Sequence, residues 1–293
     1  MRIPFTRPSL SKIKLLVSNT AFRKNPLKVI LRVAGWEFIQ LFTKKALFLF
    51  DINHSVFLRA NEGASRLTYY YGNSDPDTFA FMDSYLKPGM HVIDVGANIG
   101  LNAIYAARRV GRPGIVYAIE PDPSNFKRIV ENIGQVPLPQ LILIEAACGS
   151  NADQRVVIHH HPEDSSRSWV SGTSADLSPE AGNTVSTISI DSLTRNEKIK
   201  RVNYLKVDVE GFEWEVISGS IDCLRTHLID VIQIELDENN LNRENSSAAK
   251  IVDLIESFGY IKCLWNATNG TFSPAPRTIN AYNSFFVTPS LIS

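Results

Sequence analysis

The chain has 293 residues, 44% of them hydrophobic and 20% charged, enough to bury one large core and a small appendage. Thirty Lys and Arg balance thirty Asp and Glu, which argues against a protein that wraps nucleic acid along an extended basic face. Three cysteines, Cys148, Cys223 and Cys263, lie too far apart for a zinc or redox motif and read as buried thiols in a reducing, cytoplasmic compartment.

The basic residues are concentrated at one end. Residues 1–45 hold ten Lys and Arg (Arg2, Arg7, Lys12, Lys14, Arg23, Lys24, Lys28, Arg32, Lys44 and Lys45) against the single acid Glu37, a local balance of +9 that leaves −9 for the remainder. Residues 1–25 show little periodicity and read as poorly ordered. Leu27, Ile30, Leu31, Ala34, Phe38, Leu41 and Phe42 then recur at helical spacing with cations between them, which predicts an amphipathic basic helix. It either packs on the main domain or lies on a membrane surface, its cations toward anionic lipid, through residues 26–45. A cleaved organelle-targeting segment is a third reading. Arg32, Glu37, Lys44 and Lys45 keep the longest apolar run below the roughly 18–20 residues that cross a bilayer, so a soluble or peripheral protein is expected.

From Ala46 to Tyr71 partial alternation around Leu47, Leu49, Val56 and Leu58, with Asn53 and His54 between, predicts a hairpin. This basic extension, residues 1–72, precedes a second domain over 73–293. Ser74-Asp75-Pro76-Asp77 opens a helix over Pro76–Leu86, and Lys87-Pro88-Gly89 ends it. Apolar strands at His91–Val95, Ile115–Glu120, Leu141–Ala146, Tyr204–Asp208 and Val231–Leu236 alternate with helices near Leu101–Arg109, Pro123–Ile133, Phe212–Ser218 and Ser246–Phe258. That order belongs to an α/β domain with a parallel sheet covered on both faces. Tyr260–Trp265 and Ser284–Val287 read as a closing hairpin with one antiparallel member.

The strongest local signal is Asp94-Val95-Gly96-Ala97-Asn98-Ile99-Gly100, a buried strand stopping at a glycine turn before a helix. Gly96 lets backbone approach a ligand, and N–H groups at the helix start can hold an anion such as a carboxylate. Asn98 stands where a dinucleotide loop needs its second glycine, so the spacing is wrong for NAD. Glu120, about twenty residues on at a strand end, is placed to accept hydrogen bonds from both hydroxyls of a ribose. Asp122 reads as a helix cap, and Ala146-Ala147-Cys148-Gly149 is small enough to border an adenine. The strand Leu205-Lys206-Val207-Asp208-Val209-Glu210-Gly211 brings acids to the sheet's C-terminal edge, where open α/β sheets bind ligands. Asp208 is the first candidate to contact a cationic ligand or an acceptor and Glu210 the next, with a helix cap as the alternative role for Glu210.

His159-His160-His161 suggests a metal, but adjacent strand residues face opposite ways, so three in a row cannot reach one ion. No metal ligands are assigned. A solvated strand is expected, with His159 or His161 as a minor candidate for a general base. Trp169 and the Ser171-Gly172-Thr173-Ser174 turn either line an acceptor site or pack.

Asp94-Val-Gly-Ala-Asn-Ile-Gly100, Glu120-Pro121, Thr187-Ile-Ser-Ile-Asp-Ser-Leu193 and Lys206-Val-Asp-Val-Glu-Gly-Phe-Glu213 together resemble the FkbM family of methyltransferases over roughly residues 75–290. The resemblance implies a Rossmann-like class I fold, a mostly parallel seven-stranded sheet with helices on both faces, here preceded by a helical and hairpin extension. It implies S-adenosyl-L-methionine as methyl donor and transfer to an oxygen, on sugar hydroxyls of glycolipids or glycans or on secondary metabolites. By resemblance Gly96, Asn98 and Glu120 are cofactor residues and Asp208 lies near the reaction centre; the same strand ends and turn extend the expected donor site to Asp94, Ala97, Gly100, Cys148 and Asp208, with Asp208 and Glu210 as the catalytic candidates. The residues from Asn151 to Asn183 and the N-terminal helix match nothing transferable. An inactive cofactor-binding or scaffolding protein docked through its basic helix is the competing expectation.

Overall fold

A computed structural model describes residues 22–23, 25–43, 45–51, 54–59, 62–134, 137–161, 164–172, 183–276 and 283–292. The expected disorder of residues 1–25 falls almost wholly outside them, as do Asn53, Thr173 and Ser174. The chain divides into two compact units, Met1–Asp75 and Pro76–Ser293.

In the first unit α1 (Pro26–Phe42) starts at Asn25, whose side chain accepts the Lys28 N–H, with Pro26 fixing the first turn. Strands β1 (Lys45–Asp51) and β2 (His54–Arg59) form an antiparallel hairpin. The predicted hairpin stops there, because residues Gly63–Tyr71 form a helix, α2, closed by Gly72 in the left-handed region at φ 101°. Trp36 is fully buried on α1 and packs on Tyr69 of α2 with ring centroids 5.2 Å apart. The aromatic cluster decides for helix over strand: Ser65 and Thr68 are buried at helical spacing on the same element.

The second unit begins with α3 (Pro76–Tyr85), β3 (His91–Val95), α4 (Leu101–Val110), β4 (Ile115–Ile119), α5 (Pro123–Ile133), β5 (Leu141–Ile144) and β6 (Ala147–Cys148). Next come β7 (Arg155–His161), β8 (Asp164–Ser171), β9 (Thr184–Ile188), α6 (Ile190–Asn196), β10 (Tyr204–Val207), α7 (Glu213–Ser218) and α8 (Ile221–Arg225). The unit closes with β11 (Val231–Glu235), α9 (Glu238–Arg243), α10 (Ala248–Ser257), β12 (Ile261–Asn266), β13 (Thr271–Pro274) and β14 (Asn283–Val287). The main sheet has the order β13-β12-β14-β11-β10-β3-β4-β5. Pairs from β11 to β5 are parallel, whereas β14 runs antiparallel between β11 and β12.

The sheet therefore has eight strands instead of the expected seven, because Thr271–Pro274 adds an edge partner to β12. The predicted closing hairpin forms, β12 pairing antiparallel with β14, and β14 is the antiparallel member that joins β11. A further four-stranded sheet, β6-β9-β7-β8, is built from the stretch where sequence patterning is weakest.

Alternation sorts each parallel strand onto two faces. Ile93, Val95, Leu205, Val207, Ile232 and Ile234 enter a core cluster with residues of α6 to α10. Asp94, Lys206 and Gln233 stand side by side in register on the other face, where α3 and α4 lie. There Phe81 of α3 packs on Tyr204 at 5.0 Å. Tyr204 donates its hydroxyl to Gln233 Oε1 at 2.5 Å and Gln233 Nε2 donates to Thr78 Oγ1 at 2.5 Å, so a continuous hydrogen-bonded chain ties two strands to a helix.

Candidate active site

Parallel β3, β4 and β10 end on one edge, and their termini bring the candidate residues together. After β3 the chain turns at Gly96 (φ 79°), Asn98 (φ 55°) and Gly100 (φ 85°). The Gly96 and Ala97 N–H groups both donate to Ile119 O at 3.0 Å, and Gly100 N–H donates to Ala97 O at 2.8 Å. Asn98 N–H donates to Glu120 Oε2 at 2.7 Å. These turn donors are thus taken up by the chain itself; the N–H groups of the helix start, where the sequence places an anion, come after them. The first turn of α4 faces a carboxylate of the protein: the Ala103 N–H helps to stabilise Asp94.

The glycines serve packing. A Cβ on Gly96 would lie 1.8 Å from the carbonyl oxygen of Asp208, and one on Gly100 would lie 2.9 Å from Ile129 Cγ2. The expected reason for Gly96, backbone approach to a ligand, is replaced by a protein contact: the ends of β3 and β10 touch through the space a side chain would fill.

Glu120 is 3% exposed. Besides Asn98 N–H, its carboxylate accepts Asp122 N–H on Oε1 at 3.0 Å, and the Asn125 side chain assists. Burial nevertheless pushes its pKa up to about 8, because these donors offset only part of the desolvation. A carboxylate has about four lone-pair positions, so with three donors in place one position remains for a hydroxyl donor such as that of a ribose. Asp122 accepts Ser124 N–H and caps α5, as the sequence predicts.

Asp94 is wholly buried and held up at about 6, mainly by desolvation, with Lys206 acting against the rise and Asp208 adding to it. Neither Asp94 oxygen completes a hydrogen bond of good geometry, so this acid retains acceptor capacity for a donor such as an ammonium group. Lys206, 2% exposed, donates from Nζ to Asp208 Oδ2 at 2.6 Å. The Asp208 side chain is 35% exposed, which lets it meet a bound molecule.

Glu210 does not cap the next helix. Its Oε2 accepts Asn240 Nδ2 at 3.0 Å, and its carbonyl accepts from Arg243 at 2.9 Å, so it is tied to α9. The loop carboxylate is Glu213, whose Oε1 accepts the Val209 and Gly211 N–H groups at 3.2 Å. Burial raises the Glu213 pKa to about 7. Cys148 contributes its side chain to the main core cluster, and burial drives its thiol far above the usual range.

The three histidines lie within β7. His159 shares a 2.6 Å hydrogen bond with Ser171 Oγ and stacks on Trp169 at 5.3 Å, whereas His160 Nδ1 lies 3.1 Å from Asp122 Oδ2. Adjacent histidines thus turn to separate partners. The guanidinium of Arg243 sits over Trp169, 4.9 Å from the ring centroid, so β8 and α9 form a polar aromatic wall beside the Glu210 turn. Sequence reasoning gave no role to Lys206, Glu213 or Arg243. A lysine inside a four-residue buried strand was the available signal for the first, because a buried ammonium requires partners.

Residues 94–262, more than half of the chain, match the Methyltransferase FkbM domain. A hexuronic acid methyltransferase of Haloferax volcanii is 33% identical over 141 residues, covering 48% of this chain and 54% of the relative. A fungal protein, Methyltransferase 1 of Beauveria bassiana, is 27% identical over 193 residues, 58% of this chain and 71% of its own. Among solved structures, Methyltransferase FkbM from Methylobacillus flagellatus aligns over 88% of this chain and 59% of its own, with 12% identity and a TM-score of 0.43. The chain thus spans about half the length of the first of these relatives. The glycine turn, the strand-end acid and the lysine-braced Asp208 all lie inside the matched residues, and the chain belongs to the FkbM methyltransferase family.

Proposed function

We propose that the protein is an O-methyltransferase that acts on a hydroxyl of a sugar, in a glycan, a glycolipid or a glycosylated metabolite. The observation that carries this reading is the junction at Gly96, where the nucleoside-binding loop and the strand end bearing Asp208 are in direct contact. Donor-holding and acceptor-facing groups are thereby fixed within one rigid corner. The hexuronic acid methyltransferase among the relatives supports a sugar acceptor.

Glu120 would hold the ribose, and Asp94 would face the cationic amino-acid end. S-adenosylmethionine held there would supply an electrophilic methyl group to the acceptor oxygen, the electron pair of the broken C–S bond staying on sulfur. Asp208 orients the acceptor hydroxyl and accepts its proton, while Lys206 fixes the carboxylate from beneath. Glu213 holds the turn by binding two of its N–H groups. Most of the acceleration comes from positioning: a near-attack arrangement supplies on the order of 7–11 kcal/mol without elaborate chemistry. Trp169, which holds the stacked His159 and the Arg243 guanidinium on its ring, would border the acceptor with its edge, and Arg243 would meet an acidic group on a sugar.

The test is incorporation of labelled methyl into a panel of neutral and uronate-containing oligosaccharides. The parent chain should label at least one class, and Asp208→Asn should lose label while still binding 5′-methylthioadenosine. Cofactor binding without labelling of any acceptor would replace the enzyme by the binding-protein alternative.

A further inference from the structure

Helix α1 carries two apolar stripes. One is buried, with Val29 at 3% and Trp36 at 0% exposure, and is packed within its own unit. The other consists of Leu27, Ile30, Leu31, Phe38, Leu41 and Phe42, all 51–69% exposed. At 100° per residue these six, with Ala34 among them, fall within an arc of about 120° centred opposite Trp36. Large apolar side chains scattered singly need no explanation, but a contiguous stripe along a whole helix marks an interaction surface. Phe38 and Phe42 stack on each other at 4.5 Å, and Leu47 of β1 is also 57% exposed.

We propose that this face of α1 docks the protein flat on the surface of a bilayer containing anionic lipid. Charge selects this occupant. The stripe lies in the segment with ten Lys and Arg against one acid. Among its described residues Arg23, Lys28, Arg32 and Lys45 stand against Glu37, so a second copy docking face to face would bring like charges together, whereas an anionic headgroup layer is attracted to it. Among the described residues no helix is long and apolar enough to cross a membrane. At 17 residues, α1 is roughly 25 Å long, a dimension that suits a helix lying in the interface with its apolar side in the acyl boundary. Paired phenylalanines suit that depth. Cations around the helix would then engage headgroups while the stripe enters the lipid.

The experiment uses the full chain and vesicles of phosphatidylcholine alone or with about one third phosphatidylserine. Flotation should show strong association with the anionic vesicles, at least tenfold weaker association with the neutral ones, and a several-fold loss on raising salt from about 0.1 to 0.5 M. The triple variant Leu31→Gln, Phe38→Gln, Leu41→Gln alters only exposed positions and should lose at least tenfold in association while retaining 5′-methylthioadenosine binding. As a second measurement, the Phe38→Trp chain should gain emission that brominated lipid quenches. Unchanged association of the triple variant, equal binding to both vesicle types, or no quenching would overturn the proposal. Light scattering that finds a parent dimer converted to monomer by the triple variant, with no vesicle association, would overturn it in favour of self-association.

Discussion

Glu120 predicts a measurable coupling between ligand binding and protons. Its pKa is raised to about 8 because burial outweighs the Asp122 and Asn98 N–H donors. A ribose hydroxyl donating to the remaining lone pair favours the ionised carboxylate, so binding selects the deprotonated form. About 1% of the sites are ionised at pH 6, about 10% at pH 7 and about half at pH 8, each unit being a factor of ten or about 1.4 kcal/mol. The Kd for 5′-methylthioadenosine, which lacks the titrating amino acid of the full donor, should therefore fall close to tenfold per unit from pH 6 toward 8 and level off above. Calorimetry at pH 7 in buffers of different ionisation enthalpy should count about 0.9 proton released per ligand bound. The sign for stability follows from the same shift. The folded chain keeps a proton that the unfolded carboxyl loses near pH 4.5, so ligand-free stability declines from about pH 4.5 to 8 and is flat above, and Glu120→Gln removes that decline. A parent Kd independent of pH over this range, or a Glu120→Gln chain with the same slope as the parent, would refute the reasoning.

Gly96→Ala puts a Cβ 1.8 Å from the Asp208 carbonyl oxygen at a positive φ; a loss of at least about 3 kcal/mol and a Tm drop of roughly 6–12 °C should appear in scanning calorimetry. Gly149→Ala, whose Cβ would meet only ordinary contacts from 3.5 Å outward, should fold normally. Lys206→Met leaves Asp94 and Asp208 facing each other without their cation and should cost about 3–5 kcal/mol in urea unfolding at pH 8. That cost should shrink toward pH 5, below the Asp94 pKa of about 6. Trp169→Ala should raise the acceptor KM several-fold and leave the donor Kd unchanged, as read by steady-state kinetics beside direct binding.

The strands His91–Val95, Ile115–Ile119 and Tyr204–Val207 were legible because each is a short apolar run bounded by turn residues, and the acid ending the second was legible from its distance to the glycine turn. What joins them was not. The contact between Gly96 and the Asp208 carbonyl, and the register that sets Lys206 beside Asp94, depend on parallel pairing of segments more than a hundred residues apart, which leaves no local mark. Glu210 and Glu213 look equivalent in sequence; only the turn of the backbone, with Glu210 at φ 54°, sends one to α9 and the other under the loop. Residues 63–71 misled because the alternation at Val56 and Leu58 was extended past the end of its strand, whereas Tyr69 and Tyr70 pack as part of a helix on Trp36.

The joint at Gly96 also bears on how such a scaffold can acquire new preferences. A change that displaced the end of β10 to suit a different acceptor would push the Asp208 carbonyl into the donor loop, and the nucleoside grip would suffer with it. Diversification is therefore channelled to parts that do not share this seam, the β7–β8 hairpin and α9, where Trp169 and Arg243 meet and where exchange of a side chain leaves the machinery of transfer undisturbed.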